Sequence, residues 1–178
     1  YPESKRAAES LCKSYSLQYG VDFNSVRIAH TYGPGMKLEN DGRVMSDLLK
    51  YAIQGRNIVL RSKGDMLRAF CYVTDTVVGL MYILFYGEKS LAYNLANETE
   101  EISIRDLADM LLGLSPVKGL RIDYDIPERL PNVYCDYKRV RLDTSQLESL
   151  GWKPRVSLED GISRVVKCCN NALNEKNI

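Results

Sequence analysis

The chain has 178 residues, of which 45% are hydrophobic and 26% are charged. These proportions are ordinary for a globular protein, and they exclude the collagen-like and extensively disordered classes. Lys and Arg number 24 against 23 Asp and Glu, so the net charge of +1 predicts no general attraction to nucleic acid or to a membrane surface. At this length we expect one compact unit.

The cysteines and the hydropathy of the sequence indicate the cellular compartment in which we expect the protein. The five cysteines show no metal-ligand spacing and the chain has a single histidine, so the sequence predicts no metal site and favours a reduced, cytoplasmic protein. No apolar run approaches the roughly 18 residues of a membrane span, and no signal segment opens the chain. We therefore expect neither a membrane nor a nucleic acid as a partner.

Helices and strands alternate along the chain. Apolar residues at three- and four-residue spacing predict a first helix over 1–19, which Gly20 ends, and a short apolar strand over 23–29. The later predicted elements are, in order, helix 44–53, strand 57–60, helix 75–85, strand 93–95, helix 103–113, strand 121–124, helix 144–150 and helix 158–173. This alternation predicts an α/β fold with parallel pairing of the strands that helices connect.

The sequence lacks one motif that such folds often carry. No glycine-rich turn stands between a strand and a helix anywhere along the chain. That turn normally holds the pyrophosphate of a dinucleotide. The chain by itself therefore does not encode a dinucleotide-binding fingerprint.

Tyr1 and Lys5 stand four residues apart in the first predicted helix. On a helix, side chains at this spacing share one face, with their Cβ atoms about 5–6 Å apart. A nearby ammonium favours the phenolate, so the pair has the composition needed to take a proton from a substrate hydroxyl or to return it. The pattern alone is also compatible with an ordinary exposed helical pair.

Several short motifs occur in a fixed order along the chain. They are Y-P-E-S-K-R from Tyr1, R-I-A-H-T-Y-G-P from Arg27, N-D-G-R-V from Asn40, R-A-F-C-Y-V-T-D from Arg68, Y-N-L-A from Tyr93, L-D-T-S from Leu142, L-G-W-K-P from Leu150 and S-L-E-D-G from Ser157. Over nearly its whole length the chain thereby resembles the NAD-dependent epimerase/dehydratase family. Arg6, Glu9 and the N-D-G-R-V run are most similar to the UDP-glucuronate decarboxylase and nucleotide-sugar dehydratase branch.

The resemblance implies a particular organisation of the α/β fold. We expect the C-terminal part of a Rossmann-like domain, interleaved with a small mixed α/β lobe that binds substrate. Residues 1–32 and 73–114 would belong to the Rossmann-like domain. Residues 33–72 and 115–178 would form mainly the substrate-binding lobe with the C-terminal helices.

The resemblance also implies roles for individual side chains. Tyr1 would be the catalytic base and Lys5 its partner, which also holds the nicotinamide ribose of NAD. Thr31 would lie at the nicotinamide side as a cofactor contact. Arg68, which is set in an apolar stretch, matches the arginine that neutralises the diphosphate of the sugar nucleotide.

Four further residues are expected to contact substrate. His30 stands where most relatives have Asn, and a neutral imidazole still offers one donor to a phosphate or hydroxyl; a purely structural loop histidine is the alternative. Arg43 and Arg141 resemble supporting anion contacts, although a single arginine is more often a solvated surface charge. Tyr15 lies farther along the first helix, where a core or dimer-interface role is at least as well supported.

The function implied by the resemblance is nucleotide-sugar modification on a UDP-, dTDP- or GDP-sugar. NAD takes a hydride from the sugar, and the transient keto sugar undergoes epimerisation, dehydration or decarboxylation. A homodimer through the first helix is expected. Because the main NAD-binding segment is absent from this chain, we expect no activity from the chain alone.

Two other hypotheses remain open at this point. A chain that starts at the catalytic tyrosine is compatible with a truncated, catalytically silent remnant that acts as a dimerisation or nucleotide-sugar-binding module. Such a chain should expose apolar surface and self-associate. A structural or regulatory α/β domain without a nucleotide would require all of the motif matches to be accidental.

Overall fold

The computed structural model describes residues 1–39, 41–128 and 138–175, except for the side chains of 172–175. The helices are α1 (Pro2–Tyr19), α2 (Val44–Ile53), α3 (Val73–Tyr86), α4 (Ile104–Leu114), α5 (Ser145–Ser149) and α6 (Leu158–Glu175). The strands are β1 (Ser25–Ile28), β2 (Thr31–Tyr32), β3 (Ile58–Leu60), β4 (Leu67–Ala69), β5 (Cys71–Tyr72), β6 (Ala92–Leu95), β7 (Glu101–Ser103) and β8 (Ile122–Tyr124). Asn40 of the N-D-G-R-V motif and Cys135 lie outside the described residues.

The strands of this part of the chain form two-stranded sheets. Three pairs are parallel, β1 with β6, β2 with β5 and β3 with β8, and the pair of β4 with β7 is antiparallel. Parallel strands need a long connection, and α3 provides the last part of the one between β1 and β6. The expected α/β class is therefore confirmed. The short strands β2, β4, β5 and β7 were not expected from the sequence.

The helix boundaries follow from local chemistry. Gly20 ends α1 in the left-handed conformation, at φ 67°, where a residue without Cβ is unstrained. Ser103 caps α4, because its hydroxyl accepts a hydrogen bond from the backbone N–H of Asp106 at 3.0 Å. Both signals were present in the sequence, so these ends lie close to the expected positions.

Two hydrophobic clusters form the core. The larger joins α2, α4 and α6 with β3, and it includes Leu49, Leu107 and Ile162, none of which is solvent-exposed. The smaller lies between α3, α5 and β6, around Leu95 and Trp152. Because α4 packs with α2 and α6, residues 104–114 lie with the helices of the larger cluster, and the expected division of the chain into two domains stays a prediction.

Asp75 connects α3 to the chain that precedes α6. Its buried carboxylate accepts the backbone N–H groups of Arg155 and Val156, each at 2.9 Å, and its carbonyl accepts the indole N–H of Trp152 at 3.0 Å. A buried carboxylate requires such donors. These bonds fix the R-A-F-C-Y-V-T-D motif against the L-G-W-K-P motif. None of the described helices combines the length and the apolarity needed to cross a membrane.

Candidate functional site

The candidate site lies beyond the carboxyl ends of the parallel strands β1 and β6. Ile28 at the end of β1 pairs with Leu95 at the end of β6, so the segments that follow, with His30 and Glu98, leave the sheet at the same edge. In open α/β sheets, ligands bind in the crevice outside the carboxyl ends of the strands. The strand register therefore gives this edge the position of a ligand site.

His30 occupies a strained backbone conformation at this edge. Its φ of 37° is in the left-handed region, which a non-glycine residue rarely adopts. Its ring centroid lies 5.7 Å from that of Phe70. Although His30 retains exposed surface, desolvation and, second, the charge of Arg68 lower its pKa below the usual 6.5, while the charge of Glu98 opposes them. His30 is thus biased toward the neutral form.

Arg68 lies on β4 and is half-buried. Its guanidinium donates a hydrogen bond from Nη1 to the carbonyl of Leu67 at 2.7 Å, and Nη2 lies 3.6 Å from the sulfur of Met66. It has no carboxylate partner among the ion pairs of the described residues. A half-buried guanidinium without a carboxylate is well suited to an incoming anion.

Arg141 pairs with Glu98. Its Nε donates to Oε2 of Glu98 at 3.1 Å, and its Nη2 donates to the backbone carbonyl of Glu98 at 3.2 Å. The other carboxylate oxygen accepts the backbone N–H of Leu142 at 3.1 Å. The structure therefore places Arg141, as well as Arg68, among the charges around the segment that follows β6.

Thr31 already has a side-chain partner. It lies on β2, and its Oγ1 is 3.0 Å from Oγ1 of Thr76 on α3. The hydroxyl of Thr76 also donates to the carbonyl of Tyr72 at 3.4 Å, so Thr31 is the donor of the pair and lone pairs of its Oγ1 remain for a ligand. The sequence predicted Thr31 as a cofactor contact, and that role stays a prediction.

Tyr1 and Lys5 lie together at the start of α1. The Nζ atom of Lys5 is 5.4 Å from the centroid of the Tyr1 ring, and Tyr1 is 88% exposed. An ion pair between Glu9 and Arg27, with Nη2 and Oε2 2.6 Å apart, joins α1 to β1. Within the described residues, no hydrogen bond or ion pair connects Tyr1 or Lys5 to the group around His30. Their catalytic roles stay a prediction.

The other two predicted substrate contacts, Tyr15 and Arg43, lie on or beside the helices α1 and α2. Tyr15 is on α1, where its ring packs at a tilt against that of Tyr19, with the centroids 5.2 Å apart. Arg43 precedes α2 and pairs with Asp41, with Nη2 and Oδ1 3.1 Å apart. This hydrogen bond holds the pKa of Asp41 below its usual value. The structure does not bring Tyr15 or Arg43 into contact with His30, and their roles as substrate contacts stay predictions.

Sequence reasoning missed Glu98 and Thr76. Both lie close to motifs that it did single out: Thr76 directly follows R-A-F-C-Y-V-T-D, and Glu98 is two residues beyond Y-N-L-A. The only sequence signal for Glu98 was its place three residues after a predicted strand. No group of three or more His, Cys, Asp or Glu side chains that could hold a metal occurs within residues 1–39, 41–128 and 138–175.

These features define a mixed α/β protein of the Rossmann-like class, with cationic side chains at the carboxyl edge of parallel strands. A model of the NAD dependent epimerase/dehydratase family matches residues 1–96, which is more than half of the chain. The chain belongs to this family. The family resemblance derived from its motifs is therefore confirmed.

Curated relatives of the chain include two UDP-glucuronic acid decarboxylases. The chain is 34% identical over 163 residues to UDP-glucuronic acid decarboxylase 6 of Arabidopsis thaliana, covering 91% of this chain and 45% of the relative. It is 35% identical over 168 residues to UDP-glucuronic acid decarboxylase 1 of Danio rerio, covering 94% and 38%. The chain thus spans less than half the length of these relatives.

A solved structure shows the same fold. The UDP-glucose 4-epimerase of Thermotoga maritima, determined with UDP-glucose, superposes with a TM-score of 0.83 over 97% of this chain and 54% of the epimerase chain. The sequences are only 21% identical. At this identity the likeness establishes the fold and leaves the chemistry to the residues of the site.

Proposed function

We propose that this chain provides the substrate-binding part and the Tyr/Lys pair of an enzyme that modifies a nucleotide sugar through NAD-dependent transient oxidation. UDP-glucuronate is the substrate class that its relatives favour, since both decarboxylases reported above are named for it. The observation that carries the proposal is that His30 and Glu98, the partner of Arg141, follow the carboxyl ends of β1 and β6 in a member of this family, with the charge of Arg68 acting on His30.

The site has the charge that a nucleotide diphosphate requires. Among the described residues Arg68 offers a half-buried guanidinium without a carboxylate partner, and Arg141 is held by Glu98 with its side chain 51% exposed. Guanidinium groups bind phosphate oxygens with paired hydrogen bonds, more strongly in a partly desolvated site than in water. A neutral His30 adds one hydrogen-bond donor without adding charge.

Tyr1 and Lys5 suit the proton-transfer part of the reaction. Tyr1 is exposed and the Lys5 ammonium lies against its ring, so a sugar hydroxyl can reach the phenolic oxygen. The ammonium can also bind a ribose hydroxyl. The phenolic oxygen would accept the proton of the sugar hydroxyl at oxidation and return it at reduction.

The residues present fit the reactive end of NAD, which when bound supplies hydride transfer. Tyr1, Lys5 and Thr31 present two hydroxyl groups and an ammonium, which are the donors and acceptors that a ribose and a carboxamide require. The pyrophosphate of NAD would be held by residues that this chain does not contain, because its sequence carries no glycine-rich turn. We therefore expect no activity from the 178 residues alone.

Decarboxylation follows from the chemistry of the glucuronate ring. A ketone at the carbon next to the one that bears the carboxylate makes the sugar a β-keto acid. Such an acid loses carbon dioxide and leaves an enolate, which a proton then quenches. Epimerisation or dehydration of the same keto sugar would need other groups, so the product analysis of a complete enzyme distinguishes these outcomes.

A homodimer through α1 and a cytoplasmic location belong to the same proposal. No residue of α1 is buried, and Leu11, Tyr15 and Tyr19 are each more than half exposed. An apolar helix face of this kind favours contact with another protein surface. The same exposure supports the second candidate function, a catalytically silent module that dimerises or binds nucleotide sugars.

The test is calorimetric titration of the chain with UDP-glucuronate, with other UDP-, dTDP- and GDP-sugars, and with NAD. We expect UDP-glucuronate to bind and NAD to bind weakly or not at all. The Arg68→Ala variant should lose sugar-nucleotide binding. Arg121→Ala is the matched control, because Arg121 is exposed and lies beside β8, with its guanidinium paired to Asp123. Binding that survives Arg68→Ala would contradict the proposed site.

A further inference from the structure

We propose that Glu98 is a positioning residue, which holds Arg141 in the orientation that binds the anionic part of the nucleotide sugar. This inference rests on the proposed function for the identity of the ligand. The hydrogen bonds between Glu98 and Arg141 are called the Glu98–Arg141 clamp below. Neither residue type nor spacing in the sequence assigns such a role to Glu98.

The clamp fixes one edge of the guanidinium. Nε and one N–H of Nη2 are directed to the carboxylate and the backbone carbonyl of Glu98. An arginine has five N–H donors in a rigid plane, so the two on Nη1 and one on Nη2 remain for a ligand. The held edge and the free edge belong to the same plane, and orienting one therefore orients the other.

Glu98 is itself firmly held. Its side chain is only 10% exposed, whereas that of Arg141 is 51% exposed. The carboxylate accepts from Arg141 through one oxygen and from the backbone of Leu142 through the other. A carboxylate with these donors and little solvent access has little freedom to rotate. The guanidinium consequently extends from a fixed base toward solvent.

The clamp lies at the candidate site. Glu98 lies three residues after Leu95, the last residue of β6, and its charge acts on His30 in the direction opposite to that of Arg68. Without Glu98, Arg141 would have to lose side-chain conformational entropy each time an anion binds. With Glu98 in place, this ordering is completed on folding, which is the usual advantage of a preorganised site.

A neighbouring pair provides the matched control. Glu101 and Arg139 are hydrogen-bonded through both carboxylate oxygens, and their side chains are 15% and 52% exposed, close to the values for the clamp. Arg139 forms a β-bridge with Leu67, and Glu101 is not among the charges that act on His30, although the charge of Arg141 also acts on Glu101. We therefore assign the Glu101–Arg139 pair to joining β4 and β7 with the segment around 139.

The experiment is calorimetric titration of the 178-residue chain with UDP. Glu98→Gln should raise the dissociation constant about tenfold, the cost of ordering a free arginine side chain. Glu101→Gln should change it by less than about twofold. The double variant Glu98→Gln/Arg141→Ala should bind no more weakly than Arg141→Ala alone, because Glu98 acts through Arg141. Equal loss in Glu98→Gln and Glu101→Gln, or strictly additive effects, would overturn the inference.

Two further measurements separate the clamp from the proposed function. The Nε–H proton of Arg141 should exchange slowly in the nuclear magnetic resonance spectrum of the wild-type chain and rapidly in Glu98→Gln. An unchanged exchange rate refutes the clamp, whether or not UDP binds. Failure of the wild-type chain to bind UDP, with the exchange result as expected, refutes the ligand and the proposed function together. If Glu98→Gln does not fold, the Arg141→Lys variant tests the clamp instead, because it changes the exposed residue of the pair.

Discussion

Replacement of Gly161 by alanine should destabilise the protein, although alanine is the better helix former. Gly161 lies in α6, and an added Cβ would stand 2.1 Å from the phenolic oxygen of Tyr32 and 2.8 Å from Cδ2 of Tyr72. Ordinary van der Waals contact begins near 3.4 Å, so Tyr32 would have to move by more than an ångström. The S-L-E-D-G motif therefore ends in glycine because two tyrosines approach the helix backbone.

Tyr32 cannot move freely. It is 2% exposed, its ring packs edge-on against Phe70 and Tyr72, and its hydroxyl donates to the carbonyl of Leu158 at 3.2 Å. Overpacking of this kind costs about 1–3 kcal/mol, whereas alanine recovers only about 0.5–1 kcal/mol of helix propensity. We expect Gly161→Ala to lower the free energy of unfolding by about 1–2 kcal/mol in urea titrations.

Gly113→Ala is the control for helix propensity. Gly113 lies in α4, is exposed and has no atom within 4 Å of an added Cβ, so this change should be neutral or stabilise by up to about 1 kcal/mol. Tyr32→Phe removes the nearest oxygen, and the cost of Gly161→Ala should fall by about 1 kcal/mol in that background. A Gly161→Ala protein as stable as Gly113→Ala would refute the packing argument.

Three other predictions concern buried or titrating groups. Partial desolvation and, second, the charge of Arg68 lower the pKa of His30. Its contribution to stability is therefore complete above pH 6.5 and is lost as the pH falls toward the folded-state pKa. His30→Gln should flatten this part of a plot of unfolding free energy against pH. Burial raises the pKa of the Cys71 thiol to about 11, so at pH 8 alkylation followed by mass spectrometry should find it roughly a hundredfold slower than exposed Cys12; equal rates would contradict its burial. Asp75→Ala should cost about 2–4 kcal/mol in thermal unfolding, since it leaves two backbone N–H groups at 155–156 without their acceptor, whereas a change under 0.5 kcal/mol would show that water replaces the carboxylate.

Much of the secondary structure could be predicted because it depends on local chemistry. The helix over 1–19 follows from its apolar spacing and ends at Gly20, and the structure begins α1 at Pro2 and ends it at Tyr19. The strands β2 and β5 could not be predicted. Each has two residues and no periodic pattern, and each exists because Thr31 and Cys71 are brought into register by the rest of the fold.

The candidate site shows the same division. The proximity of Tyr1 and Lys5 follows from helical spacing, and the position of Arg68 in an apolar stretch indicated that its guanidinium would be partly buried. The sequence contained no comparable indication that Glu98 belongs to the site, because an acidic residue that follows a strand is ordinarily exposed to solvent. Only the fold brings residue 98 to Arg141.

By itself the sequence determined the α/β class, the family and the Tyr1–Lys5 pair, because these depend on periodicity and on motifs within short stretches. The tertiary structure decided that β1 pairs with β6, that His30 and Glu98 leave the sheet at one edge, and that α4 packs with α2. These contacts join residues far apart in the chain, and their partners are selected by burial and hydrogen bonding that no single stretch of sequence specifies.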